Sequence, residues 1–239
     1  MLVGAFQSKE GGYSLENLRT LFDEPYRTAF KNSVEVSLVT AVLGGALGLV
    51  IAYSAIREGT PRWIRTVLTT FSGVAANFAG IPLAAAFIAT LGTIGVLTQF
   101  MTEQLGVNPY DHGFTLFSKT GLELVYLYFQ IPLMILVIAP AVDGLRREWR
   151  EAASSLGASP LQFWRHVGVP ILLPSILGAV VLLFGNSFAA YATAYALTSG
   201  GVLLVPISIG FLLSGDVLDD PHLGQALAFG MFVVLGLMM

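Results

Sequence analysis

The sequence predicts an all-α integral membrane protein with about five transmembrane helices and a polar helix–turn–helix elbow between the third and the fourth. Three observations carry that prediction. Only 11% of the 239 residues are charged, where a soluble domain has about 25%, and mean hydropathy is +0.75. Apolar stretches long enough to cross a bilayer, about 20 residues each, alternate with short polar connections. Two of those connections, 57–65 and 143–166, gather the arginines: Arg57, Arg62 and Arg65 in one, and Arg146, Arg147, Arg150 and Arg165 in the other.

Composition also removes several functions. A net charge of −3 gives no basic surface for nucleic acid. With no cysteine there is no disulfide, thiolate metal site or cysteine nucleophile. His112, His166 and His222 are scattered without a second ligand at helical spacing, so no metal site is predicted. Met1 to Phe6 is too short for the apolar region of a signal peptide.

Residues 1–32 read as an extracytoplasmic segment with one interfacial helix. Ser14 is its predicted N-cap, Leu15, Leu18, Leu21 and Phe22 share a face, and Pro25 ends it. Residues 33–239 form the transmembrane domain. The first span runs from Ser33 to Ile56, and Gly44, Gly48 and Ala52 recur every four residues, a stripe that lets a neighbouring helix approach. A loop with Arg57, Glu58, Arg62 and Arg65 leads to a second span, Ile64 to Leu91, kinked at Pro82. Residues 92–118 are a connection with turn signals at Asn108-Pro109 and His112-Gly113. The third span covers Thr120 to Val142 and contains Pro132. The fourth covers Pro170 to Leu197, and a piece too short to cross, Val202 to Leu213, precedes the last segment, His222 to Met239.

The remaining basic residues, Lys9, Arg19, Arg27, Lys31 and Lys119, fall on the side opposite the two arginine loops. By the positive-inside rule the elbow is cytoplasmic and the N-terminus outside.

Within the elbow, Trp149, Ala152, Ala153 and Leu156 occupy i, i+3, i+4 and i+7, the apolar stripe of an amphipathic helix, with Arg147 and Glu151 as an i, i+4 pair. Gly157 offers a C-cap and Pro160 forbids simple continuation, so a second short helix, Leu161 to Val167, is expected to leave at an angle. Such an elbow suits a groove on a partner protein. The alternative is a loop lying on lipid headgroups.

The spacing Glu151-Ala152-Ala153, three residues, Gly157, nine residues, Val167-Gly168-Val169-Pro170 resembles the EAA loop of ABC-importer permeases. The usual ending, Ile-x-Leu-Pro, is here Val-Gly-Val-Pro, a conservative departure. Tyr13 to Leu18 and Pro170 to Ser175 are also similar to the branch serving spermidine/putrescine, iron and phosphonate.

The resemblance implies a permease subunit of a bacterial or archaeal inner membrane. It would pair with an identical or homologous second permease, two ATPase subunits and an extracytoplasmic substrate-binding protein. ATP and magnesium would sit on the ATPase, and this chain would need no cofactor of its own. Arg147, Glu151, Ala152, Ala153, Gly157 and Pro170 would form the coupling loop, 146–170. Such permeases usually have six spans and start inside, so the two readings are a chain lacking a first helix and the C-terminal end, or a genuine five-span core. The implied solute is a polyamine (spermidine/putrescine), otherwise iron, phosphonate or thiamine; the Asn186 position is often acidic in the resembled branch, and an amide there puts a polyamine in doubt without excluding it.

Polar groups inside spans are candidates for the substrate path: Asn77, Glu123, Tyr126, Gln130 and Asn186, with Glu123, Tyr126 and Gln130 on one helical face. Helix–helix hydrogen bonding is the alternative for each, and for Ser187. Two other classes fit the sequence less well. An intramembrane enzyme lacks any Ser/His, Asp/Asp or HExxH constellation in the spans. A stand-alone secondary transporter would need internal repeats and acids at mid-membrane, whereas Glu35 and Glu123 sit near span ends.

Overall fold

The structure, a computed structural model, describes residues 4–7, 12–56, 60–214 and 221–238, with Arg147, Ser214 and Pro221 by backbone alone. Lys9, Arg57, Glu58 and Met239 lie outside the described residues, as does the side chain of the Arg147–Glu151 pair's arginine. Among the described residues the regular structure is helical: α1 Glu16–Thr20, α2 Tyr26–Ile56, α3 Arg62–Asn77, α4 Ile81–Leu91, α5 Val96–Leu105, α6 Lys119–Asp143, α7 Arg147–Ser155, α8 Pro160–Phe163, α9 Val169–Phe188, α10 Ala192–Thr198, α11 Val205–Ser214 and α12 Pro221–Met238.

Four helical runs are long and apolar enough to cross a membrane: Tyr26–Ile56, Ile81–Leu105, Lys119–Asp143 and Pro160–Phe188. The shorter apolar helix α12 is the fifth segment of the sequence reading.

Several boundaries differ from those expected, each for a local reason. The N-cap position of α1 is Leu15 and not Ser14, although the Ser14 hydroxyl accepts from the Glu16 amide at 3.1 Å. Pro25, however, does not close α1; it precedes α2 and its carbonyl accepts from the Ala29 amide, so it opens the first long helix. The expected second span is broken. α3 stops at Asn77, and Gly80, at φ 75° and ψ −150°, takes a conformation that only glycine adopts readily. Pro82 then sits in the first turn of α4, where a missing amide costs nothing, instead of kinking a continuous helix. The crossing run extends on through α5, inside what the sequence reads as a connection. The fourth span ends at Phe188, and α10 follows as a separate helix.

The described chain falls into two compact units. One comprises 40–78 and 126–184, the other the remainder. In the first, the small-residue stripe of α2 performs the packing role expected of it. A Cβ on Gly44 would stand 2.8 Å from the Gln130 Cβ, and one on Gly48 would stand 2.6 Å from the Met134 Cβ and 2.7 Å from the Ile131 carbonyl oxygen. Ala52 is fully buried. The backbones of α2 and α6 therefore approach to a distance that no larger residue allows. In the second unit, Ala29, Val205 and Leu227 form a buried cluster flanked by Leu21, Tyr26, Phe30 and Met231. There the Ser33 hydroxyl accepts from the first amide of α11, Val205, at 2.9 Å, and the Asn32 amide donates to the Leu203 carbonyl at 3.1 Å. The break before α4 is satisfied likewise: the Gly80 amide donates to the Thr193 hydroxyl at 2.7 Å.

Replacing Gly48 by Ala is expected to destabilise the protein by about 1–3 kcal/mol, the usual cost of overpacking. Gly178→Ala, at a glycine with nothing within 4 Å of its would-be Cβ, is expected to be neutral or slightly stabilising. Thermal unfolding of the two variants in detergent compares them directly.

Candidate functional site

The elbow begins at Arg146, whose extended backbone (φ −70°, ψ 137°) starts α7. α7 ends at the glycine the sequence singled out. Gly157 has φ 79°, the left-handed conformation that closes a helix. Two hydrogen bonds lock this end: the Ala158 amide donates to the Ala153 carbonyl at 2.9 Å, and the Gly157 amide to the Ser154 carbonyl at 2.9 Å. These are the 6→1 and 5→2 bonds of a Schellman motif. The spacing from Ala153 to Gly157 thus has a backbone cause, since a reversal at that point needs a residue free to take positive φ.

The chain restarts two residues later. The Ser159 hydroxyl accepts from the Gln162 amide at 3.3 Å, the Gln162 side chain accepts from the Ser159 amide at 2.7 Å, and Pro160 occupies the first helical position. This capping box, with its leading proline, satisfies the amides that a new helix leaves open.

One expectation is corrected here. The second arm is not a short helix ending at Val167. α8 runs through a π-turn, Trp164–Gly168, into α9 without interruption, the Val169 amide donating to the Trp164 carbonyl. Pro170 explains the wider turn: it has no amide to offer, and its ring crowds the carbonyl four residues back. Gly168 allows it, because a Cβ there would stand 2.6 Å from the Trp164 ring.

Much of the elbow is open. Leu156 is 88% exposed and Leu161 78%. Glu151, Ala152, Gly157 and Pro170 are also exposed, Ala153 partly so, and Trp149 lies at the margin with the Arg146 guanidinium 5.9 Å from its ring centre. The apolar stripe predicted for α7 therefore does not serve the protein's own core. Phe163, at 5% exposed, is the buried root.

The candidate path residues differ in burial and in their hydrogen bonds. Gln130 is wholly buried and donates to the Leu183 carbonyl at 2.8 Å, joining α6 to α9. Tyr126 is also buried, its ring centre 5.1 Å from that of Phe129. Asn77 is exposed and donates to the Gly73 carbonyl of its own helix at 2.8 Å, and Asn186 is exposed on α9. Glu123 is partly exposed near the start of α6. One turn before it, Lys119 is ion-paired with Glu35 of α2.

Sequence reasoning missed two contacts. Arg65 of α3 is ion-paired with Asp143 at the end of α6. Arg150 of α7 donates to the Tyr53 hydroxyl of α2. Both join residues about 80 or more positions apart, for which periodicity carries no signal; only the arginine-rich loops marked the neighbourhood.

With this geometry in view, comparison with known proteins is decisive at the level of family. The family model "binding-protein-dependent transport system inner membrane component" matches residues 44–239. The chain belongs to that family: it is a permease component of binding-protein-dependent ABC transport, a multi-pass membrane protein. Its similar relatives are transport permeases. A probable sulfate transport system permease protein cysT from Nephroselmis olivacea is 25% identical over 87% of this chain and 71% of its own length. A spermidine/putrescine permease PotC homolog from Mycoplasma pneumoniae is 28% identical over 85% of this chain and 63% of its own. A trehalose permease SugB from Mycobacterium tuberculosis is 24% identical over 87% and 69%. Among solved structures, the fold matches a bacterial ABC transporter involved in import of the acidic polysaccharide alginate. That match has a TM-score of 0.71 and 18% identity, and covers 99% of this chain and 84% of that one. It also matches the MetNI methionine ABC transporter, with a TM-score of 0.57 and 17% identity, over 90% and 94%.

Gly157→Ala forces a β-carbon into left-handed backbone at about 1–2 kcal/mol, with no steric clash to add because nothing lies within 4 Å. Faster hydrogen exchange at the Gly157 and Ala158 amides is the expected result. Gly157→Asn, which tolerates this conformation better, is expected to fall between Ala and the parent.

Proposed function

We propose that this chain is the permease subunit of an ATP-driven importer, and that residues 146–170 are its coupling element, seated in a cleft on a separate ATPase subunit on the cytoplasmic side. The observation that carries this reading is the exposed apolar edge of a rigidly capped elbow. Leu156 and Leu161 stand in the open on either side of Gly157, while Phe163 anchors the structure beneath them. Large apolar side chains held outward on a polar helix–turn–helix fit a protein groove, with Glu151 as a polar contact at its rim. Sidedness follows from the arginines of the elbow and of the 57–65 loop. On this reading residues 1–32 face outward.

ATP and magnesium would be bound by the ATPase; this chain carries no G-x-x-x-x-G-K-[ST] loop. The solute would be delivered by a substrate-binding protein and pass between this chain and a second permease, identical or homologous. The relatives' names span sulfate, spermidine/putrescine and trehalose, so the solute class is a small polar molecule. Of the five path candidates, Glu123, partly exposed, and Asn186, exposed, are the ones suited to meeting it, since Asn77 is bonded to its own helix. Gln130 is better placed to hold α6 against α9.

Leu156→Asp and Leu161→Asp, which put a charge where an apolar groove would close, are expected to abolish co-purification of the proposed ATPase partner. The permease itself should remain in the membrane at parental levels. Undiminished co-purification of both variants would remove the elbow from the interface.

A further inference from the structure

α7 is joined through the chain to α6 and, beyond the turn, to α8 and α9, but has no covalent link to α2 closer than α3 and α6. The side chains supply a link of their own. The Arg150 Nη2 donates to the Tyr53 Oη at 3.2 Å, near the C-terminal end of α2. The same guanidinium stands 5.6 Å from the centre of the Phe163 ring, within cation–π range. Tyr53 in turn meets Trp164 edge to face, ring centres 4.7 Å apart and planes at 87°. Trp164 touches Phe163 at 6.0 Å and 78°. Four side chains from α2, α7, α8 and the π-turn thus close a ring of contacts under the elbow, all within one compact unit.

Each member has a reason to be there. Only arginine can lay a flat cation against one ring and still aim an N–H at a second. Tyrosine gives Trp164 an apolar edge and Arg150 an oxygen from one side chain. Gly168 leaves the room that Trp164 occupies. From this arrangement we infer that Arg150 and Tyr53 are positioning residues that clamp α2 to the elbow, so that α2 follows the elbow whenever the ATPase moves it. The inference rests on the proposed coupling role and adds to it a third helix. α2 is the helix whose Gly44 and Gly48 lie against α6, so a displacement passed to it is carried along that close-packed seam.

The absence of cysteine allows a direct test. Cysteines introduced as Val50→Cys on the exposed side of α2 and Glu148→Cys on the exposed side of α7 take spin labels. The α2–α7 distance is then measured in the transporter assembled with its ATPase, nucleotide-free and trapped with ATP and orthovanadate. With Arg150 and Tyr53 intact the distance is expected to be the same in both states. In Arg150→Ala it should broaden and shift on trapping by about 2 Å or more, the scale of helix shifts at packed interfaces. Tyr53→Phe, which removes one oxygen and keeps the ring, should give a smaller shift, and Arg150→Lys, which keeps the charge but loses the flat fork, should lie between Arg150→Ala and the parent. A parental distance that itself shifts on trapping, or an Arg150→Ala distance as constant as the parent's in an assembled transporter, overturns the clamp while leaving the coupling role standing. An elbow that brings down no ATPase at all overturns the coupling role first, and the clamp with it.

Discussion

A helix inside a bilayer has no water to turn to when its ladder of backbone hydrogen bonds stops, so each interruption must be answered by another part of the chain. That constraint explains more of this structure than the hydrophobicity of its side chains does. Two interruptions show it. The amide of Gly80, stranded between α3 and α4, is taken up by the Thr193 hydroxyl. The first amide of α11 is taken up by Ser33, and the carbonyl of Leu203, just before it, by Asn32. The polar residues of the apolar segments are thereby largely committed to the fold. Gln130, buried and bonded to the Leu183 carbonyl, belongs with them, although by composition alone it looked like part of a path.

The elbow solves the same problem by other means. It lies where polar side chains can serve as caps, and it spends two of them in quick succession: a left-handed glycine to stop α7 and a serine–glutamine box to start α8. Two termination devices back to back leave no freedom in the turn between them, and that rigidity lets Leu156 and Leu161 be presented outward without collapsing onto the chain. A looser connection would fold those side chains under.

What could be read from the sequence follows the reach of each signal. The crossing segments announced themselves through length and apolarity, and the stripe Gly44, Gly48, Ala52 through its period of four; the structure puts both glycines hard against α6. Gly157 could be placed as a cap because its effect is local. The break at Phe78–Gly80 was missed because Pro82 is compatible with a kink and with a helix start alike. What selects the start is Thr193, more than a hundred residues away. The continuity of α8 with α9 was missed for a related reason, since a π-turn has no sequence period of its own and depends on the space Gly168 leaves for Trp164. The candidate path was the least legible part: whether an amide in a span faces a neighbouring carbonyl or a solute is decided by tertiary packing, as the contrast between Gln130 and Asn186 shows.

The π-turn has a geometric corollary. Widening one turn from an i→i+4 to an i→i+5 pattern adds a residue without adding a full step of rotation, so everything on its N-terminal side is rotated by roughly 100° about the helix axis relative to plain α winding. Leu161 lies on that rotated side and the exposed apolar residues of α9, such as Leu173 and Leu177, on the other. The count of nine residues between Gly157 and Val167 is therefore an angular setting as much as a length. A chain with eight or ten there would carry the same chemistry aimed in a different direction.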